Sequence, residues 1–264
     1  MQLLNSKQLL ESALEAAHLA GELLRLGFNS AKSISSKEGR HNLVTEFDLA
    51  SETRIMEVLR HRTPGSTMLT EESGLHAGSG DLVWVIDPLD GTVNFAHGIP
   101  IFCVSIAAVV SGEIIAGVIH QPLTNETFTS VRGQGSLANN RRMQVSETDS
   151  LSDSILVTGF PYNVENNPLQ CIDQFARIVG TGLPIRRLGS AALDLAYVAD
   201  GRFDGYWEVA LHPWDMAAGV LMVTEAGGMV SHYSGRGFVL GEDSIVATNG
   251  RIHQQLVAAL EPVA

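Results

Sequence analysis

The chain has 264 residues, of which 45% are hydrophobic and 17% charged, a composition typical of a globular protein with a substantial core. The formal net charge of −12 argues against nucleic acid as a partner, because phosphate backbones are bound by clustered Lys and Arg. An acidic chain can hold a phosphate ester only through local positive charge, and bound cations are one source of that charge.

The N-terminal and apolar segments bear on where the protein works. Residues 1–10 contain no basic leader followed by an apolar stretch, so no secretory signal is expected. The longest nearly apolar run, 101–110, is far shorter than the roughly 20 residues of a membrane-spanning helix. The two cysteines and nine histidines show no zinc-binding spacing. We therefore expect a cytoplasmic protein with reduced thiols and no membrane partner.

Hydrophobic periodicity in the first part of the chain predicts two helices and an antiparallel sheet. A helix is expected over 6–27, and a polar loop over 30–42. A second helix is predicted to begin at Thr45, whose hydroxyl caps it with Asp48 in the capping-box position, and to run to about residue 62. The strands expected next lie at 66–69, 82–86, 102–110, 114–119, 127–131 and 142–145. Residues 1–150 are therefore predicted to form an α+β half that carries most of the candidate metal ligands.

Strands and helices alternate after residue 150. The expected elements are strands at 155–158, 184–187 and 203–209, two later strands, and helices at 169–179, 190–198, 216–226 and 251–260. Such alternation predicts an α/β half over residues 151–264, which carries Glu208 and Asp215.

Acidic residues stand beside apolar segments, where a carboxylate is costly unless it is paired or binds a metal. Asp87 and Asp90 bracket a Pro-Leu pair at the end of an apolar strand, and proline stiffens such a turn so that both carboxylates can converge. Gly91 lets backbone amides approach an anion, and Thr92 adds a hydroxyl able to orient a water. Magnesium takes hard oxygen ligands of this kind together with water and substrate phosphate.

Each of these acidic residues also has a purely structural explanation. Asp90 and Asp215 could cap helices, and Asp48 could stabilise a helix start through the macrodipole. The Glu71-Glu72 pair could be a solvated surface pair. Residue types and spacing alone leave both explanations open.

Several segments together resemble the motifs of the inositol monophosphatase family, in that family's order and across nearly the whole chain. They are NLVTEFD at 42–48, EES at 71–73, WVIDPLDGTVNF at 84–95, WDMAAG at 214–219 and TEAGG at 224–228. The resemblance implies a layered α/β/α/β/α sugar-phosphatase fold, a homodimer, inhibition by lithium, and dependence on Mg²⁺ with two or three ions per active site.

The resemblance also implies a set of metal ligands. A first ion would be held by Glu71, Asp87 and the Leu89 carbonyl, and a second by Asp87, Asp90 and Asp215. A looser third ion would lie near Glu71.

Catalytic and substrate-binding roles follow from the same resemblance. Glu71 and Thr92 would position the attacking water, and Asp48 would hold the Thr92 hydroxyl. Glu208 matches a residue that binds a substrate hydroxyl, and a water near Asp215 would supply the proton of the leaving group. The implied substrate-binding residues are Gly91, Thr92, Gly189, Ser190, Ala191, Glu208 and Asp215.

Some positions depart from the family pattern without removing a ligand. Thr70 stands where glycine is frequent, Asn42 replaces an aspartate common in animal members, and Val93 replaces a usual threonine. Pro213 before the WD motif resembles prokaryotic members. Lys37 falls in the loop expected near the metals.

The function predicted from these features is metal-dependent hydrolysis of a small phosphate monoester by metal-activated water, with inositol 1-phosphate as the favoured substrate. Phosphatases for histidinol phosphate, fructose 1,6-bisphosphate, adenosine 3′,5′-bisphosphate and NADP share the metal motifs and stay open as alternatives. A protein that binds and regulates the transcription machinery is an alternative of another class, since some bacterial proteins resembling this one serve as such partners.

Overall fold

The computed structural model describes residues 5–36 and 43–261. Lys37 and Asn42, discussed above, lie outside the described residues. The helices are α1 (Ser6–Gly27), α2 (Glu46–Arg62), α3 (Thr92–Ala96), α4 (Cys171–Gly180), α5 (Ala191–Ala199), α6 (Pro213–Glu225) and α7 (His253–Leu260). The strands are β1 (Ile34–Ser36), β2 (Leu43–Thr45), β3 (Thr67–Thr70), β4 (Gly74–His76), β5 (Leu82–Asp90), β6 (Cys103–Val110), β7 (Glu113–Gln121), β8 (Glu126–Val131), β9 (Gly135–Ala138), β10 (Arg141–Arg142), β11 (Leu156–Thr158), β12 (Ile185–Arg186), β13 (Gly205–Val209), β14 (Met229–Ser231) and β15 (Ser244–Thr248).

Both N-terminal helices begin at side chains that cap them. Asn5 and Gln8 form a capping box at α1, and Thr45 and Asp48 form the predicted one at α2. In α2 the Thr45 N–H donates to Asp48 Oδ2 at 2.8 Å, which satisfies a backbone donor that the helix itself leaves unpaired. Among the helices of the described residues, none is both long and apolar enough to cross a membrane.

The larger sheet has eight strands in the order β10-β9-β8-β7-β6-β5-β3-β4, and its pairs are antiparallel except for β3 with β5. The predicted hairpin is present as β6 and β7. Strand β5 runs on to Asp90, past the predicted end at residue 86, with a register shift against β6 between Asp87 and Asp90. Pro88 lies within this irregularity, where its missing N–H breaks no ladder bond.

Two short strands of this sheet, β4 and β9, were missed by the sequence pattern. Strand β9 is Gly-Ser-Leu-Ala, which is too short and too small in its side chains to stand out as a strand. The predicted turn at Asn139 and Asn140 is present, with φ angles of 44° and 69°. It leads into β10, which ends at Arg142 rather than at residue 145.

The second sheet has five strands in the order β12-β11-β13-β15-β14. Strand β11 pairs in parallel with β12 and β13, whereas β15 pairs antiparallel with β13 and β14. The second part of the chain is thus mixed α/β, as predicted.

The eight-stranded and five-stranded sheets and six helices form the predicted α/β/α/β/α layers, and three apolar cores lie between these layers. Helices α1 and α2 cover one face of the eight-stranded sheet. Helices α5 and α6 fill the space between the sheets, and α4 and α7 cover the outer face of the five-stranded sheet. The middle core takes residues from both sides of position 150, among them Val85 and Leu195, so the domain division there stays a prediction.

Candidate active site

A cleft of about 800 Å³ opens where the end of β5 meets the first turns of α5 and α6. It brings together all the residues predicted to bind metal or substrate. Those lining it are Glu71, Asp87, Leu89, Asp90, Gly91, Thr92, Gly189, Ser190, Ala191, Glu208 and Asp215. Asp48 lies behind this wall and reaches the cleft through Thr92.

Asp87 is buried near the end of β5, where the strand leaves regular pairing. Its Oδ1 accepts a hydrogen bond from the Leu89 N–H at 3.0 Å, which fixes the carboxylate above the turn. Burial raises the pKa of Asp87 well above its ordinary value, and the negative charges of Glu71, Asp90 and Asp215 raise it further. The side chain therefore sits in a field that favours a cation beside it.

Asp90 is held by the start of α5. Its Oδ2 accepts hydrogen bonds from Ser190 Oγ at 2.6 Å and from the Ala192 N–H at 2.8 Å. Burial raises the pKa of Asp90 to about 6 in spite of these bonds. Ser190, predicted to line the sugar side, thus also positions a carboxylate, and the Ala192 amide was not predicted.

Gly91 turns the chain from β5 into α3 with a φ of 93°, a conformation that L side chains rarely adopt. A Cβ at this position would lie 2.9 Å from the Ile101 carbonyl oxygen, so glycine also meets a packing demand. Thr92 follows, and its Oγ1 lies 2.8 Å from Asp48 Oδ1 and 3.0 Å from the Leu89 carbonyl oxygen. Both acceptors compete for the one hydroxyl proton, so the Thr92 lone pairs stay available to the cleft.

Asp215 lies in the first turn of α6, and one of its carboxylate oxygens helps to cap the helix, as the structural explanation predicted. Asp215 Oδ2 accepts from the His212 N–H at 2.7 Å, completing a capping box. The same carboxyl lines the cleft, and its pKa is raised well above the ordinary value by burial and by Asp90 and Glu71. Capping and a place in the cleft are therefore compatible roles.

The segment that carries Glu71 is anchored from α2. The Glu71 N–H donates to the Ile86 carbonyl oxygen at 3.2 Å, which ties the segment to β5. The Glu72 N–H donates to Glu52 Oε2 at 2.9 Å, and Ser73 donates to the other oxygen of Glu52. The sequence did not predict this role of Glu52, because nothing in the residues of α2 shows that its carboxylate accepts hydrogen bonds from residues 72 and 73.

The acidic side chains of the cleft offer hard oxygen donors, the chemistry that suits Mg²⁺. Within residues 5–36 and 43–261, no group of three or more His, Cys, Asp or Glu side chains is arranged as a finished ligand set. Magnesium does not require one, because it keeps several waters and takes one or two carboxylates together with substrate phosphate. The donors therefore fit magnesium, and the number of ions stays a prediction.

Glu208, at the far wall of the cleft, is buried on β13. Its Oε2 accepts a hydrogen bond from Tyr206 OH at 2.6 Å, and burial raises the pKa of Glu208 to about 7. A Cβ at Gly159 would lie 2.0 Å from the same oxygen, so any larger residue there would displace the carboxylate. Neither partner was predicted, although the two-residue period of a strand places Tyr206 and Glu208 on one face.

Comparison with known proteins decides the family. The profile of the inositol monophosphatase family matches residues 5–263. The chain belongs to the inositol monophosphatase family.

Relatives and solved structures agree with this membership over nearly their full lengths. The Pseudomonas aeruginosa protein named Nus factor SuhB is 44% identical over 260 residues, 96% of each chain. The Synechocystis protein named inositol-1-monophosphatase is 43% identical over 256 residues, 95% of this chain and 88% of that one. The crystal structure of extragenic suppressor protein suhB from Bartonella henselae matches with a TM-score of 0.92 at 39% identity, over 97% of this chain and 99% of that one. The predicted family and fold are confirmed.

Ala210 lies in the cleft wall between Glu208 and Asp215 with a φ of 58°, in the left-handed region. We expect Ala210→Gly to raise the free energy of unfolding by about 0.5–1 kcal/mol, because glycine adopts this conformation without a Cβ penalty. Urea denaturation measures the change.

Ala258 provides the matched control for this substitution. It is an exposed residue of α7, where the same Ala→Gly change should lower the stability by about 1 kcal/mol. A loss at position 210 as large as the loss at 258 would show that Ala210 is not strained.

Proposed function

We propose that this protein is a Mg²⁺-dependent phosphatase that hydrolyses a small phosphate monoester, with inositol 1-phosphate as the favoured substrate. The observation that carries the proposal is the convergence of four acidic side chains from three separate segments on one cleft, beside the Gly91 turn. Family membership and the relative named inositol-1-monophosphatase support the same chemistry.

The side chains that would hold the metal are Glu71, Asp87, Asp90 and Asp215, together with the Leu89 carbonyl. When bound, Mg²⁺ supplies the positive charge that an acidic cleft needs to receive a phosphate, polarises the phosphoryl group and lowers the pKa of water. The net charge of −12 is then compatible with an anionic substrate.

Thr92 and Glu71 position the attacking water in this proposal. The Thr92 hydroxyl donates to Asp48, so its lone pairs can accept a hydrogen bond from that water. Asp48 is itself fixed by the Thr45 N–H, which links the orientation of the hydroxyl to the capping box of α2. A water oriented before the reaction lowers the entropic part of the barrier.

Backbone amides and the far wall bind the ester. The Gly91 and Thr92 N–H groups receive the phosphate, and a water beside Asp215 gives its proton to the departing oxygen. Gly189, Ser190 and Ala191 line the side of the leaving group, and Glu208 accepts a hydrogen bond from one of its hydroxyls. Tyr206 holds Glu208 in the orientation needed for this contact.

A panel of phosphate esters tests the substrate. Phosphate release is measured with Mg²⁺ from inositol 1-phosphate, fructose 1,6-bisphosphate, histidinol phosphate, adenosine 3′,5′-bisphosphate and NADP. The highest kcat/KM is expected on inositol 1-phosphate. A different best substrate would keep the chemistry and replace the substrate, whereas no release from any ester by the folded protein would contradict the proposed function.

A second function, binding to the transcription machinery, is favoured by the relative named Nus factor SuhB. The immobilised protein should capture components of that machinery from an extract of its own cells if the function is shared. Recovery of none of them at physiological salt would count against it. We also propose a homodimer, which light scattering on the purified chain tests directly.

A further inference from the structure

Asp194 is a buried acidic residue of the cleft that the proposed reaction leaves unused. It lies in the first half of α5, one turn after Ser190, and only 1% of its surface is exposed. Its side chain lines the cleft, and its Oδ1 accepts no hydrogen bond from the described residues. An unsatisfied buried acceptor costs free energy, which a donor arriving with a ligand would recover.

A structural role at the helix start does not account for Asp194. One amide of the first turn of α5, that of Ala192, already donates to Asp90, which also accepts from Ser190 Oγ. Asp194 is therefore not needed as the cap of its own helix.

The groups that face Asp194 come from three other segments. Burial raises its pKa well above the ordinary value, as do the negative charges of Glu208 on β13 and Asp90 on β5, while Arg187 before α5 opposes the rise. Arg187 and Glu208 line the same cleft. The surroundings thus combine two carboxyl groups with one guanidinium.

We propose that Asp194 is a specificity-determining residue that accepts a hydrogen bond from a second hydroxyl of the leaving group, beside the hydroxyl bound by Glu208. The enzyme would then select phosphate esters of polyols with at least two hydroxyls placed to reach both carboxyl groups. The inference rests on the proposed function, since it names the leaving group of the same reaction.

The first test compares Asp194→Asn and Asp194→Ala with the wild type on inositol 1-phosphate and on p-nitrophenyl phosphate, an ester without leaving-group hydroxyls. The ratio of kcat/KM between the two esters should fall about tenfold or more in Asp194→Ala and less in Asp194→Asn, which keeps one acceptor. Asp200→Asn is the control, because Asp200 caps the other end of α5, pairs with Arg141 and Arg202, and does not line the cleft. Its ratio should match that of the wild type.

The second test removes the hydroxyls of the substrate one at a time. Wild type should lose about tenfold in kcat/KM on one deoxy-inositol phosphate, and Asp194→Ala should lose no further activity on that same ester. An unchanged ester ratio in folded Asp194→Ala, or losses that add independently for every deoxy ester, would overturn the proposal.

A binding measurement separates failure of this inference from failure of the proposed function. Calorimetry with inositol 1-phosphate should show weaker binding to Asp194→Ala than to wild type even if neither protein hydrolyses the ester. Hydrolysis of aryl and other esters with equal polyol affinity in both proteins would keep the phosphatase and reject the role of Asp194.

Discussion

Asp90→Asn is expected to lower kcat about a hundred- to a thousandfold while the protein stays folded. Asparagine keeps the shape of the side chain and can still accept from Ser190 and Ala192, but it removes the charge that would hold a cation in the cleft. Phosphate release from inositol 1-phosphate at saturating substrate and Mg²⁺ measures the loss. Turnover near that of the wild type would contradict the assignment of Asp90 as a metal ligand.

Stability provides the check on this variant. Burial raises the pKa of Asp90 to about 6, so the ionised carboxylate at pH 7 costs free energy in the folded metal-free protein but not in the unfolded chain. The penalty is complete above that pKa and disappears as the pH falls below the ordinary value of 3.8, since both states are protonated there. Asp90→Asn should therefore be no less stable than wild type at pH 7 without Mg²⁺.

Asp204→Asn is the matched control for Asp90→Asn. Asp204 is another buried carboxylate, but it accepts from Ser146 and the Ile155 N–H and does not line the cleft. This change should lower stability, because it weakens a satisfied hydrogen-bond network, and leave kcat of the folded enzyme nearly unchanged.

Glu208→Gln is expected to lower kcat/KM about tenfold or more on inositol 1-phosphate and much less on p-nitrophenyl phosphate. Glutamine places an amide donor where a carboxylate would accept from a substrate hydroxyl, so a polyol loses a contact that an aryl ester never makes. The measurement is the pair of kcat/KM values with each ester. An equal loss on both would reject recognition of the leaving group by Glu208.

Tyr206→Phe accompanies this experiment as a test of orientation. It keeps the ring and removes the hydroxyl that donates to Glu208 Oε2. The loss on inositol 1-phosphate should go in the same direction as that of Glu208→Gln and be smaller, because the carboxylate is still present. Full activity in Tyr206→Phe would show that packing alone, including the close approach of Gly159, positions Glu208.

The fold was predicted well wherever local patterns carry the information. The capping box of Thr45 and Asp48 and the hairpin of β6 and β7 are properties of a few neighbouring residues. The end of β5 was not predictable in this way, because Pro88 reads as a strand terminator and its tolerance depends on a bulge against β6.

The site shows the limit of a single sequence more clearly. Motifs drew attention to Asp87, Asp90 and Asp215, yet the contact of Asp90 with Ser190 joins positions 100 residues apart. No spacing rule reports such a contact. Gly159 was missed for the same reason, since its function is to leave room for a carboxylate on another strand.

A magnesium titration tests whether hydrolysis by this protein depends on Mg²⁺. Wild-type protein is first freed of metal, and its release of phosphate from inositol 1-phosphate is measured from no added Mg²⁺ up to saturation. The rate is then measured again after EDTA is added and after Mg²⁺ is restored. We expect no release without Mg²⁺, a saturable rise with it, loss on chelation and recovery on renewed addition. Release that is independent of Mg²⁺, or no release at any concentration by folded protein, would contradict this expectation.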